Sequence, residues 1–117
     1  MGLLFMKNNE KEIIIKMINY IDKSLKYTKD YSFQDFCNDE KTQDATIFNI
    51  SQIGELTRKL SEEFIKNNST IEWKMIKGLR NRIVHDYDGI NLENIWYIIT
   101  NDLNILKKQL SEIKDKI

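Results

Sequence analysis

From Leu92 to Ile117 the apolar residues recur at steps of three and four: Leu92, Ile95, Ile99, Leu103, Leu106, Leu110, Ile113 and Ile117. A strand would place them at every second position, whereas these steps keep them on one face of an α-helix. A stripe of this length must be covered, by a bundle core or by a partner helix. The rest of the chain offers the same material. It has no proline and only four glycines in 117 residues, so few positions interrupt a helix. Isoleucine is frequent and favours strands by propensity, but its spacing here is helical.

The other elements follow from the same periodicity. Ile14, Ile18, Ile21 and Leu25, with Ile13 and Met17 alongside, predict a first helix from about Asn9 to Lys29. Ser32 is placed to cap one short turn that Phe33 and Phe36 would plug into the bundle. A second long helix is expected from between Asp39 and Thr42 to about Lys66, on the stripe Ala45, Phe48, Ile53, Leu56, Leu60 and Phe64. Within it, Gly54 marks a point of close packing or bending. Asn67 to Thr70 reads as a loop, and Ser69 with Glu72 has capping-box spacing. A third helix then runs through Trp73, Ile76, Leu79 and Ile83 to near Tyr87, where Asp88-Gly89 stops it. Asn91 caps the fourth. The expected architecture is all-α: an antiparallel four-helix bundle with a short extra helical turn between the first two long helices, residues 1–117 forming one domain.

Charge and cysteine content exclude several classes. Eighteen basic and eighteen acidic residues give a net charge of zero, so any attraction for nucleic acid has to be local. Cys37 is the sole cysteine, which rules out an intrachain disulfide and a cysteine-based metal site. It reads as a half-buried thiol. The apolar opening, Met1 to Met6, is too short for a signal-peptide core or a membrane span. A cytoplasmic protein without membrane contact is expected.

The chemistry concentrates in Leu79-Arg80-Asn81-Arg82-Ile83-Val84-His85-Asp86-Tyr87, which holds the only histidine. Arginine offers a permanent charge and a planar fork of donors suited to phosphate. Histidine takes and returns protons near neutral pH. On a helix Asn81 and His85 share a face, as do Arg80 and Tyr87, but Arg80 and His85 point about 140° apart. They can meet on one phosphate if the helix end unwinds, if the ligand straddles the helix edge, or if a two-fold partner presents the same motif. Lys74, Lys77, Arg80 and Arg82 form a local basic cluster with no acidic residue from Lys74 to Arg82. A solvated helix face with an Arg82–Asp86 pair would account for these charges too. The set Arg80, Asn81, His85 and Tyr87 favours phosphate chemistry. Trp73 and Trp96 sit in apolar stripes and are expected as core anchors.

The chain resembles the HEPN toxins of the HepT-like type, small all-helical ribonucleases encoded beside a minimal nucleotidyltransferase (MNT) antitoxin. The signature is arginine, four to six residues, histidine, and a tyrosine two positions on, met here by Arg80, His85 and Tyr87. Further landmarks are Tyr31-Ser32-Phe33 with Phe36, Thr42-Gln43-Asp44-Ala45, Ile53-Gly54-Glu55 with Leu60-Ser61, Trp73, Gly78, Gly89-Ile90, Trp96 and Asn101-Asp102-Leu103. They span about Tyr31 to Leu110. Relatives often carry proline before the tryptophan and after the asparagine–aspartate pair; this chain has neither.

The resemblance implies the HEPN fold and a homodimer whose two motifs line one cleft. It implies a metal-independent endoribonuclease, without cofactor, that leaves 2′,3′-cyclic phosphate and 5′-hydroxyl ends. In that scheme His85 transfers protons, Arg80 stabilises the phosphorane, and Asn81 orients His85 or donates to phosphate. Lys74, Lys77 and Arg82 are candidates for RNA contact. Tyr87 is the site to which the cognate MNT-type nucleotidyltransferase attaches AMP. Asp44 and Glu55 either face the cleft and position Arg80 or His85, or cap and pair structurally. The alternative is a non-catalytic HEPN dimer that binds nucleotide or a partner protein and regulates it.

Overall fold

A computed structural model of the chain describes the backbone of residues 2–85 and 89–117, with side chains described for 9–83 and 89–117. Helix α1 (Gly2–Tyr27) is followed by the short α2 (Phe33–Cys37), then α3 (Glu40–Thr57) and α4 (Glu62–Asn67). Next come α5 (Trp73–Lys77), α6 (Leu79–Ile83), and an antiparallel ladder of β1 (Val84–His85) with β2 (Gly89–Ile90). Helix α7 (Leu92–Tyr97), a π-helical stretch (Ile98–Asp102) and α8 (Leu103–Lys116) complete the chain. The long helices make the expected all-α antiparallel bundle, with α2 as the extra turn between the first two. Among the described residues no helix is long and apolar enough to cross a membrane.

Most of the predicted stripe residues form one core, but Phe48, expected on the second stripe, is 55% exposed and meets Tyr20 edge-on at the surface. Ile14, Met17 and Ile21 of α1 meet Ile50 and Ile53 of α3, with Leu103 and Leu110 of α8, all fully buried. The corner between α2 and α3 is built from polar side chains. Ser32 and Asp35 close a capping box on α2, and Gln43 Nε2 donates to the Phe36 and Cys37 carbonyls at 2.8 and 3.1 Å. Asp39 caps α3 by accepting from the Thr42 N–H at 3.1 Å. Phe36 is buried and Cys37 half-buried, as expected, whereas Phe33, expected to plug the turn with Phe36, is 36% exposed.

Four boundaries differ from expectation, each for a local reason. Helix α1 begins at Gly2, well before Asn9, because the apolar opening continues the helix. The second long helix breaks at Arg58–Leu60. Ser61 accepts from the Phe64 N–H at 3.1 Å and donates to buried Glu10 of α1, so a new helix starts there. Ser69 caps nothing: the Trp73 indole donates to the Asn68 carbonyl at 2.9 Å, and α5 starts at Trp73 with Glu72 at its cap. Finally, α6 ends at Ile83 and not near Tyr87. The Arg82 carbonyl accepts from Asn94 Nδ2 at 3.1 Å and the Ile83 carbonyl from the Asn91 N–H at 3.1 Å, which takes both away from further helix.

The fourth leg starts as predicted, with Asn91 Oδ1 accepting from the Asn94 N–H at 3.0 Å. Its middle opens into π geometry, a common local widening of helices. Side chains occupy carbonyls there: Thr100 Oγ1 bonds the Trp96 carbonyl at 2.8 Å and Asn104 Nδ2 the Thr100 carbonyl at 3.1 Å. The wider turn lets Ile98, Ile99 and Leu103 all face the core.

Candidate functional site

The basic segment is carried on α5 and α6, two five-residue helices that meet at Gly78. Their apolar residues Trp73, Ile76, Leu79 and Ile83 are buried against the bundle, which leaves the polar residues on the outer face. Gly54 of α3 makes this approach close. A Cβ there would stand 3.3 Å from the Ile76 carbonyl oxygen, so the glycine expected to mark close packing does so against α5.

Arg80 and Asn81 are exposed on α6, and Lys74 is exposed with Lys77 half-buried on α5. Arg82 turns the other way. Its Nη1 lies 3.0 Å from Asp102 Oδ2, and both side chains are largely buried, at 33 and 21% exposure. That pair joins α6 to the π-helical stretch and holds Arg82 away from Arg80, matching their expected divergence. The Arg82–Asp86 pair weighed above falls on Asp86, outside the described residues.

The backbone of His85 lies in β1, paired with Gly89. Between Arg80 and His85 the helix therefore gives way to extended chain, so the 140° separation of a continuous helix does not apply. Gly89, with φ of 81°, adopts a backbone open to glycine at little cost. The expectations for Tyr87 and for Asp88 in the helix stop lie outside the described residues.

Asp44 and Glu55 are both exposed on α3. Glu55 sits 3.8 Å from Arg58, a solvent-facing i,i+3 pair. Trp73 is an interior anchor at 4% exposure. Trp96 is half-buried and packs on Phe36, with ring centroids 5.3 Å apart. Among the described residues no group of three or more His, Cys, Asp and Glu side chains is placed to hold a metal ion.

The roles of two supporting residues escaped the sequence reading, although Asp102 stands there among the landmarks. Asn94 and Asp102 fix the end of α6 through the contacts just given. Asp102 had a legible signal, a lone acid wedged between the stripe positions Ile99 and Leu103. Asn94 had none, because its role depends on a residue twelve positions away.

Comparison with known proteins gives a consistent result. The family described as Ribonuclease HepT-like matches residues 17–113. "Putative RNase MJ0127" of Methanocaldococcus jannaschii is 37% identical over 102 residues, covering 87% of this chain and 81% of the relative. "Putative RNase TTE0752" of Caldanaerobacter subterraneus subsp. tengcongensis is 36% identical over 88 residues, covering 75 and 79%. "Probable ribonuclease HepT" of Thermococcus cleftensis is 26% identical over 109 residues, covering 93 and 99%. No solved structure matches the chain. With a family match across most of its length and relatives at this identity, the chain belongs to the HepT-like ribonuclease family.

Proposed function

We propose that the protein is a metal-independent endoribonuclease acting as a homodimer in the cytoplasm, the toxin of a toxin–antitoxin pair. One observation carries this reading: a chain of the HepT-like family holds Arg80 and His85 on either side of a helix end at Ile83. The loosened end supports their convergence on one phosphate. A non-catalytic binding module would have no need of the histidine.

In the proposed reaction His85 of one protomer takes the proton of a ribose 2′-hydroxyl. The 2′ oxygen forms a bond to the adjacent phosphorus while the bond to the 5′ oxygen breaks. His85 of the partner subunit returns a proton to that leaving oxygen. The products carry a 2′,3′-cyclic phosphate and a 5′-hydroxyl. A single histidine per chain thus serves as both base and acid across the dimer. Arg80 stabilises the charge that grows on the phosphorane, an effect that is often the larger contribution. Asn81 orients His85 or donates to the phosphate. Lys74 and Lys77 attract the RNA backbone, and Arg82 does so less directly because Asp102 shares its charge. Asp44 and Glu55 stay candidates for supporting the cleft, Glu55 being paired with Arg58.

Regulation is proposed at Tyr87. A cognate MNT-type nucleotidyltransferase transfers AMP from ATP to the phenol oxygen, releasing pyrophosphate and the phenol's proton, and the added phosphate repels RNA from the cleft. Mass spectrometry after incubation with that enzyme and ATP would find an adenylylated peptide containing Tyr87; its absence would remove this part.

The central test is cleavage of total RNA by protein of verified unmodified mass, with chelator present. His85→Ala should lower the rate by at least ~10²–10⁴-fold, the usual scale of a lost proton-transfer group. Cleavage that needs a metal, or that survives the substitution, would overturn the reading.

A further inference from the structure

An open hollow beside β2 takes no part in the chemistry above. Phe33, Cys37, Gly89, Ile90, Asn91 and Glu93 line about 600 Å³, ample for a nucleobase. Phe33 and Ile90 are apolar yet 36 and 50% exposed. The Phe33 ring is supported from behind. The Ser32–Asp35 capping box fixes the backbone at its position, and Trp96 lies 6.2 Å from it, itself packed on Phe36. An aromatic face held in this way is a stacking surface for a base of any kind.

The rim adds selectivity. Asn91 Oδ1 accepts from the Asn94 N–H, and only an amide oxygen can do so, which fixes the orientation of the amide. Its Nδ2 is left as the donor. Glu93 is exposed and carries two acceptor oxygens. A donor and a carboxylate on one rim suit the edge of guanine, whose O6 accepts while N1–H and N2–H donate side by side. Adenine, cytosine and uracil have no such pair of adjacent donors.

Register places the hollow near the reaction. Gly89 pairs with His85 across the ladder, a separation of about 4.5–5.5 Å between Cα atoms in antiparallel pairs. Among the described residues nothing stands within 4 Å of where a Gly89 Cβ would be. The geometry points to a guanine subsite formed by Phe33, Asn91 and Glu93, which holds a base next to the bond that is cut. Its place in the reaction rests on the ribonuclease reading; its capacity to bind guanine does not.

Two measurements on the unmodified full chain test this. The first is an NMR titration with 3′-GMP, 3′-AMP, 3′-CMP and 3′-UMP. 3′-GMP should bind roughly tenfold more tightly than the others, as a well-made bidentate contact allows, and shift the amides of Phe33 and Gly89 to Glu93. Glu93→Gln should erase that preference, and Phe33→Leu should weaken all four nucleotides by roughly tenfold. The second maps cut sites in total RNA. Wild-type cuts should lie at a fixed offset from guanine, and Glu93→Gln should cleave without that bias. Equal binding of the four nucleotides, or a preference that survives Glu93→Gln, overturns the subsite. Selective 3′-GMP binding without RNA cleavage would leave the subsite standing and remove the ribonuclease reading. Cleavage indifferent to guanine would keep the ribonuclease reading and overturn the subsite's place beside the bond that is cut.

Discussion

Helices α1 and α8 run for 26 and 14 residues and pair their apolar stripes, whereas α5 and α6 have five residues each and meet at a glycine. The first region is stable through area: side chains such as Ile14, Ile21 and Leu110 are wholly removed from water. The second buries one row of side chains and takes the rest of its order from neighbours. Asn91 and Asn94 hold its last carbonyls, Asp102 holds Arg82, and the bare Cα of Gly54 lets it lie close to α3. A short segment held by others can end in extended chain, as it does between Arg80 and His85. A long self-sufficient helix would have carried Arg80 and His85 apart. Substitutions in the two regions should therefore fail differently.

The largest effect is expected in the framework. Ile21→Ala or Ile50→Ala empties a fully buried position and should lower stability by about 2–5 kcal/mol, seen in chemical denaturation. Cleavage per folded molecule should hardly change, because Ile21 and Ile50 have no part in the proposed chemistry. A variant that lost activity while still folded would break the proposed division.

Gly54 tests the seam between the regions. Gly54→Val must push against the Ile76 carbonyl and should cost about 1–3 kcal/mol, as overpacking does. Gly54→Ala should stay close to neutral. Its small steric conflict is offset by the helix propensity gained over glycine, up to ~1 kcal/mol. If Val at this position is tolerated as well as Ala, α5 is not seated by α3 in the way described.

The same contrast explains what the sequence made legible. Periodicity reports which face of a helix is buried, so the framework stripes and the short turn at Ser32 could be read directly. It does not report where a helix is cut by a distant partner. The break before Ser61 involves Glu10 of α1, although Ser61-Glu62-Glu63 does carry a cap followed by first-turn acids. The end of α6 depends on Asn91 and Asn94, and the π-helical stretch on Thr100 and Asn104 reaching back to carbonyls. For the candidate site, residue types and spacing were visible in Arg80, Asn81 and His85. The role of Asp102 was not, since its partner Arg82 lies twenty positions away in sequence and adjacent in space.

That pair gives a smaller effect with a sharper meaning. Asp102→Asn keeps the volume and removes the charge opposite Arg82. The contact is between exposed and buried in character, so the stability change should be about 1–2 kcal/mol. If α6 depends on its neighbours, the cleavage rate should fall by more than this loss of stability accounts for, and Arg82→Met should not add to it. Additive losses would mean that the two side chains act separately.

The smallest effect is the pH response of the α3 cap, and it separates the regions without touching the motif. The Asp39 carboxylate accepts from the Thr42 hydroxyl and the Tyr31 phenol, both at 2.6 Å, and from the Thr42 N–H. These bonds, the Thr42 hydroxyl first, lower its pKa from 3.8 to about 2, while the bond to Asp39 raises that of Tyr31. A carboxyl whose pKa is lower in the folded chain stabilises it fully above the unfolded value. That contribution fades as pH falls from about 4 through 2. Thermal melts should therefore show a steeper loss for wild type than for Asp39→Asn across this window, and a less stable variant at pH 7. Helix α5 has no side-chain cap bond at Glu72 to lose. Hydrogen exchange below pH 4 should accelerate at Thr42 and Gln43 before Met75 and Ile76, and this order should vanish in Asp39→Asn. Simultaneous loosening at both places would show that the framework and the motif segment open as one unit, and that the segment is less dependent on its neighbours than its contacts imply.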